Sequence, residues 1–114
     1  MKISRAHRQA HKPGVMDKTE ARYATHLEYR KRMGDISSYC FEAVKLRLAD
    51  NTFYSPDFFV MLADGQLEAH EVKGFWQDDA RVKIKIAADM YPFRFIAIQK
   101  ASKKQGGGWI TEEF

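Results

Sequence analysis

The sequence contains a single cysteine, Cys40, among its 114 residues. One cysteine can neither form a disulfide within the chain nor share a zinc ion with a second cysteine, which excludes disulfide-rich and zinc-ribbon scaffolds. No segment approaches the roughly 20 consecutive apolar residues of a membrane-spanning helix, and no signal-peptide apolar block follows the basic N-terminus. We therefore expect a soluble intracellular, cytoplasmic protein without a membrane partner.

The charge is concentrated at one end of the chain. Residues 1–33 contain nine Lys or Arg against three acidic residues, a net charge of +6, whereas the whole chain has a net charge of +4. Such a segment favours a polyanion such as nucleic acid, because each neutralised phosphate releases counterions. The alternative is a solvated tail that only keeps the protein soluble.

The apolar pattern predicts one α/β domain, of the α+β type with a mixed sheet, in the order α-β-β-β-α-β. The first helix is expected at about 17–32, with Asp17 as N-cap and Gly34 after its end. The predicted strands are 38–48, 57–62, 67–73 and 93–99, with a hairpin turn at 63–65. Residues 78–91 are predicted as a helix, with Asp78 as N-cap, because of their length, their helix formers and the stop at Pro92.

Three regions follow from this pattern. Residues 1–14 are interpreted as a basic arm, residues 15–100 as the folded domain and residues 101–114 as a C-terminal tail. In that tail, glycines 106–108 are expected to be a flexible link to Trp109 and Ile110. The arm residues expected to contact nucleic acid are Lys2, Arg5, Arg8 and Lys12.

Asp57, Glu71 and Lys73 are the candidate catalytic residues. Asp57 and Glu71 lie equally far along the chain from Asp64 at the centre of the predicted turn, so an antiparallel hairpin places them nearly opposite each other. Glu71 and Lys73 share one face of their strand because side chains alternate. The sequence therefore predicts two carboxylates and one lysine on the same face of a hairpin.

Two carboxylates this close repel each other unless a cation lies between them. Hard oxygen ligands suit Mg²⁺ or Mn²⁺, and Mg²⁺ is usually held by one or two carboxylates together with waters and phosphate oxygens. Lys73 could orient or help deprotonate the attacking water and stabilise the charge on the phosphate. The predicted activity is phosphodiester hydrolysis with Mg²⁺ as cofactor, for which Mn²⁺ can substitute.

These motifs resemble those of the PD-(D/E)XK nuclease superfamily, which includes restriction enzymes, Holliday-junction resolvases and phage endonucleases. The chain resembles small phage-borne endonuclease-like proteins and Holliday-junction resolvase-like nucleases, over about Asp17 to Gln99. The matching segments are Asp17–Glu20, Tyr54–Phe58, Glu71–Gly74, Lys83–Lys85 and Tyr91–Pro92. The resemblance implies a restriction-endonuclease-like core, action in a bacterial or phage-infected cell, and a homodimer as in members that cut both strands.

The resemblance also implies further site residues. Glu20 on the first helix would be a fourth catalytic residue and metal ligand, the backbone carbonyl of Val72 another ligand, and Gln99 a weaker candidate. Glu20 has a structural alternative, because Asp17-x-x-Glu20 has the spacing of a capping box. Its helix face is shared with Tyr23 and Leu27, which directs it toward the sheet.

DNA is the predicted partner, and branched or structured DNA is favoured because a domain this small has little room for a sequence-reading module. Arg81, Lys83 and Lys85 form either a phosphate track or a solvated helix face, and Trp76 either stacks on a base or packs its loop. His70 is expected to point away from Glu71. The competing function is a DNA-binding accessory or regulatory protein that keeps a nuclease fold without cutting.

Overall fold

The first helix begins and ends at the residues that the sequence indicates. A computed structural model describes residues 14–74 and 78–114, and its helix α1 comprises Lys18–Arg32. Asp17 is the N-cap, and Gly34 follows the C-cap with φ of +83°, a left-handed conformation that favours glycine. Tyr23 and Leu27 are buried on the inner face of α1, as predicted.

The described residues form seven strands in two sheets. In chain order they are β1 (Ile36–Phe41), β2 (Leu46–Ala49), β3 (Thr52–Tyr54), β4 (Phe58–Leu62), β5 (Leu67–Lys73), β6 (Arg94–Lys100) and β7 (Trp109–Glu113). The main sheet has the spatial order β1-β4-β5-β6-β7. β5 and β6 are parallel, and the other neighbours are antiparallel. The predicted α+β class with a mixed sheet is confirmed.

The prediction of one strand at 38–48 is wrong. β1 ends at Phe41, and β2 pairs only with β3 as a separate two-stranded sheet. Glu42, with φ of +51°, interrupts the extended chain after β1, and Asn51, with φ of +53°, lies in the turn between β2 and β3. The alternating pattern therefore runs across two elements that the backbone separates.

The C-terminal residues extend the main sheet, so the expectation of a flexible link to a tail is also wrong. β7 pairs antiparallel with β6. A short 3-10 helix (Lys103–Gln105) precedes it, and Gly106, Gly107 and Gly108 all have positive φ. The glycines provide the backbone conformations of a tight connection.

Helix α2 (Asp78–Met90) confirms the helical prediction for residues 78–91 and connects the parallel strands β5 and β6. The helix begins at Asp78, and residues 75–77 lie outside the described residues, so the predicted N-cap role of Asp78 stays a prediction. Of the two helices in the described ranges, neither has the length and apolar character needed to cross a membrane.

Two clusters of buried residues cover opposite faces of the main sheet. Under α1, Tyr23 and Leu27 pack with Phe58 and other residues of β1, β4, β5 and β6. Under α2, Ile84 packs with Phe95 and with residues of β2, β3 and β5. Each large apolar side chain buried in these clusters stabilises the fold by about 1.5–3 kcal/mol. The β2–β3 hairpin thus belongs to the α2 side of the sheet.

Candidate active site

The hairpin of β4 and β5 brings Asp57 to Glu71. Phe58 pairs with His70, and continuing this register by one residue places Asp57 opposite Glu71. The turn between the strands contains Asp64, as predicted. The sequence-based prediction of the register is therefore confirmed.

Asp57 lies directly before the first residue of β4 and is held there by two hydrogen bonds. Its carboxylate oxygen Oδ2 accepts the amide N–H of Val72 at 2.8 Å. Its backbone carbonyl accepts the N–H of Glu42, also at 2.8 Å. These contacts fix the carboxylate beside the end of β5, where Glu71 and Lys73 lie.

Both carboxylate oxygens of Glu71 have partners. Lys73 lies on the same face of β5, and its Nζ is 3.0 Å from Glu71 Oε2. The hydroxyl of Tyr54 donates a hydrogen bond of 2.8 Å to Glu71 Oε1. Tyr54 belongs to the β2–β3 hairpin, so its part in the site was missed along with that hairpin.

Glu20 is confirmed as a capping residue. Its N–H donates to Asp17 Oδ1 at 2.7 Å, and its Oε1 accepts the N–H of Asp17 at 2.9 Å. The side chain is nevertheless 93% buried, with 7% exposure, and it acts electrostatically on Asp57. Capping and proximity to the site therefore coexist, and a role as a metal ligand stays a prediction.

The crowding of carboxylates changes the proton affinity of Asp57. Burial raises the pKa of Asp57 to about 9, the Glu71 and Glu20 carboxylates contribute in the same direction, and the Val72 N–H opposes them. Burial and the negative charge of Glu71 likewise raise the pKa of Tyr54 above its ordinary value. The raised pKa favours the protonated form of Asp57, whereas a bound cation would favour the ionised form.

The donors present suit a hard divalent cation, but they do not form a complete cage. Within residues 14–74 and 78–114, no group of three or more His, Cys, Asp and Glu side chains is arranged to hold a metal ion. Mg²⁺ typically uses only one or two carboxylates and keeps several waters. Burial and the negative charges of Glu71 and Glu20 raise the pKa of Asp57, and a divalent cation bound here would offset those charges.

The remaining candidates have different surroundings. Gln99 lies beside Lys73 in the β5–β6 register, and its amide donates to the Gly74 carbonyl at 3.0 Å. Arg81 donates two hydrogen bonds to Glu112 on β7. These contacts give Gln99 and Arg81 structural roles, while their predicted functional roles stay predictions.

Other predicted nucleic-acid contacts are only partly described. Lys83 and Lys85 are exposed on α2, which suits either a phosphate track or a solvated face. The arm residues Lys2, Arg5, Arg8 and Lys12, together with Trp76, lie outside the described residues. Their predicted roles stay predictions.

A second group of polar side chains lies under α1, on the other face of β5. His70 is buried and points to the face opposite to Glu71, as the alternation of side chains predicts. Its Nε2 donates to Glu68 Oε1 at 2.9 Å, and its Nδ1 is 2.7 Å from the Tyr23 hydroxyl. Arg94 donates to the other Glu68 oxygen at 2.7 Å and to Glu113. We call these five residues the α1-side polar chain.

A cavity of about 730 Å³ opens beside the α1-side polar chain. His26, Arg30 and Trp109 are among the residues that line it. Burial, followed by the positive charge of Arg30, lowers the pKa of His26. This cavity lies on the face opposite to Glu71 and Lys73.

Comparisons with known proteins identify no family. No protein-family model matches the chain, and no curated protein or solved structure aligns with it significantly. The resemblance to PD-(D/E)XK nucleases therefore depends on the motif residues and on the order of the helices and strands.

Proposed function

We propose that the chain is a metal-dependent endonuclease of the PD-(D/E)XK type that hydrolyses phosphodiester bonds in DNA. The observation that carries this proposal is the juxtaposition of Asp57 and Glu71 with Lys73 3.0 Å from Glu71. A carboxylate with a raised pKa, such as Asp57, close to a second carboxylate and a lysine is typical of a catalytic site. The resemblance adds the reaction class to this geometry.

Each side chain of the site has a role in the proposed reaction. Asp57 and Glu71 would hold Mg²⁺ or Mn²⁺, with the Val72 carbonyl and Glu20 as further ligands. The bound cation would supply Lewis-acid stabilisation of the phosphate and lower the pKa of a bound water. Lys73 orients the attacking water or helps to deprotonate it, and its charge offsets the negative charge that develops on the phosphate.

The order of elements supports the same proposal. When the β2–β3 hairpin and β7 are set aside, the chain follows the order α1-β1-β4-β5-α2-β6, which is the order expected of a restriction-endonuclease-like core. The exposed Lys83 and Lys85 and the basic arm fit a polyanionic partner. Structured or branched DNA, a homodimer and a cytoplasmic site of action belong to the proposal.

One observation favours a second candidate, a DNA-binding accessory or regulatory protein that does not cut. Glu71 has both carboxylate oxygens engaged, one by the Tyr54 hydroxyl and the other by Lys73. A site closed in this way could bind DNA without catalysis. Cleavage assays distinguish the two candidates.

The test is nicking of supercoiled plasmid, linear duplex and four-way-junction DNA with Mg²⁺, Mn²⁺ or EDTA. We expect metal-dependent cleavage that falls at least about 100-fold in Asp57→Asn and in Lys73→Ala, because each removes a group that acts on the transition state. Asp64→Asn and Lys100→Ala are matched controls with the same chemical changes at exposed positions, and we expect both to cut normally.

Two outcomes contradict the proposal. Cleavage that survives EDTA or the Asp57→Asn change excludes the proposed mechanism. Binding of all three substrates without cleavage under any metal condition favours the non-catalytic candidate.

A further inference from the structure

Tyr54 connects the β2–β3 hairpin to the candidate active site. It is the last residue of β3, and its hydroxyl donates to Glu71 Oε1 at 2.8 Å. A phenol is a neutral donor, unlike the Lys73 ammonium group 3.0 Å from Glu71 Oε2. The two oxygens of one carboxylate are therefore held by groups of different kinds.

The two partners of Glu71 also differ in their freedom to move. Tyr54 is 7% exposed and packs with Ile84 and Phe95 in the cluster under α2, where its ring is 6.3 Å from that of Phe95. The Lys73 side chain is 24% exposed and has a flexible stem. Glu71 Oε2 can consequently exchange its partner, while Oε1 stays bound to Tyr54.

From this asymmetry we propose that Tyr54 is a positioning residue that fixes the Glu71 carboxylate so that Oε2 is the oxygen presented to the cation and the phosphate. The inference rests on the proposed nuclease function and deepens it. It gives the β2–β3 hairpin a role in the site beyond its packing. Hydrogen-bond partners that orient metal-ligating carboxylates commonly change metal affinity or activity 10- to 100-fold when they are removed.

The test is Tyr54→Phe, which deletes one hydroxyl and keeps the buried ring. We expect Mn²⁺ to bind about 10-fold more weakly, measured by titration calorimetry without DNA. For nicking of supercoiled plasmid we expect kcat to fall about 10-fold while KM stays within about twofold, because DNA binding is left unchanged. Circular dichroism and the melting temperature verify that the variant is folded.

The chain offers two matched controls. Tyr39→Phe removes a tyrosine hydroxyl that donates to a glutamate at the same distance, Glu28 Oε1 at 2.8 Å, but away from the site. Tyr91→Phe removes the hydroxyl that holds the hairpin through the Arg47 carbonyl at 2.7 Å. We expect both variants to bind Mn²⁺ and to cut plasmid as the wild type does.

The outcomes separate this inference from the proposed function. If the wild type binds Mn²⁺ and cuts DNA while Tyr54→Phe equals it in both assays, only the positioning role is overturned. An equal loss in Tyr91→Phe also overturns it, because hairpin docking would then be responsible. A wild type that neither binds Mn²⁺ nor cuts DNA overturns the proposed function and the inference with it.

Discussion

Two groups of polar side chains with opposite electrostatics lie on the two faces of the main sheet, one around Glu68 and the other around Asp57 and Glu71. In the α1-side polar chain, the hydrogen bond from His70 lowers the pKa of Glu68, with a further contribution from Arg94. On the other side, burial and a neighbouring carboxylate raise the pKa of Asp57 to about 9. The Glu68 carboxylate has its charge balanced by neighbouring donors, whereas the carboxylates around Asp57 outnumber the cations beside them.

This difference distinguishes a polar group whose charges are paired from the candidate site residues, whose carboxylates outnumber their cations. A carboxylate whose partners are already in place stabilises the fold and offers little to a ligand. A carboxylate kept close to others with too few cations lowers stability and binds a cation readily. Burial alone would not distinguish Glu68, 3% exposed, from Glu71, 8% exposed.

The largest effect is expected from breaking the satisfied group. Glu68→Gln removes the charge that pairs with Arg94 and accepts from His70, and we expect the free energy of unfolding to fall by about 2 kcal/mol at pH 7. Because the folded-state pKa of Glu68 is lowered, its contribution is present above pH 4.5, its ordinary pKa, and disappears as the pH falls through the folded-state value. Urea unfolding of both proteins from pH 3 to 7 should show the two stabilities converging at acid pH. A constant difference over that range would contradict the assignment.

A smaller effect of opposite sign is expected at Asp57. Its folded-state pKa is raised, so its contribution to stability is present below the ordinary value of 3.8 and is lost as the pH rises toward about 9. The free energy of unfolding of Asp57→Asn should therefore exceed that of the wild type by about 1–2 kcal/mol at pH 8. Near pH 4 the two proteins should be equally stable. Asp64→Asn, in the exposed turn, serves as the control. A less stable Asp57→Asn at pH 8 would argue against crowding of carboxylates.

The smallest effect is expected from adding the cation. Mn²⁺ at ten times its dissociation constant should stabilise the wild type by about 1.4 kcal/mol, because it binds only the folded state. The gain should persist in Glu68→Gln and disappear in Asp57→Asn. Thermal melts of the three proteins with and without Mn²⁺ measure it. The same gain in all three would show that Mn²⁺ binds elsewhere.

Much of the site could be predicted because it depends on short-range rules. The turn at Asp64 and the alternation of side chains set the register that brings Asp57 to Glu71. The capping role of Glu20 follows from its spacing to Asp17. These features involve residues that are close in sequence, so the spacing of residue types along the chain is enough to predict them.

The parts that were missed depend on backbone breaks that the pattern does not show. Glu42 adopts positive φ although glutamate rarely does, so nothing in the alternating pattern indicates the end of β1. The adjacent Asp50 and Asn51 were a usable signal, since asparagine tolerates positive φ in a hairpin turn. Recognising that turn would have revealed β3, and with it the position of Tyr54. Gly106–Gly108 were interpreted as a flexible link, although they lie in the short connection between Lys100 and Trp109, which pair across β6 and β7.

The β2–β3 hairpin leaves and re-enters the main sheet at nearly the same place, since Phe41 at the end of β1 pairs with Phe58 at the start of β4. The β1–β4 pairing therefore holds the two ends of the segment that contains the hairpin close together. Shortening or exchanging such a loop costs little closure entropy and leaves the β1–β4 register intact. The Tyr54 hydroxyl that contacts Glu71 therefore belongs to a loop between two paired strands and not to the main sheet itself.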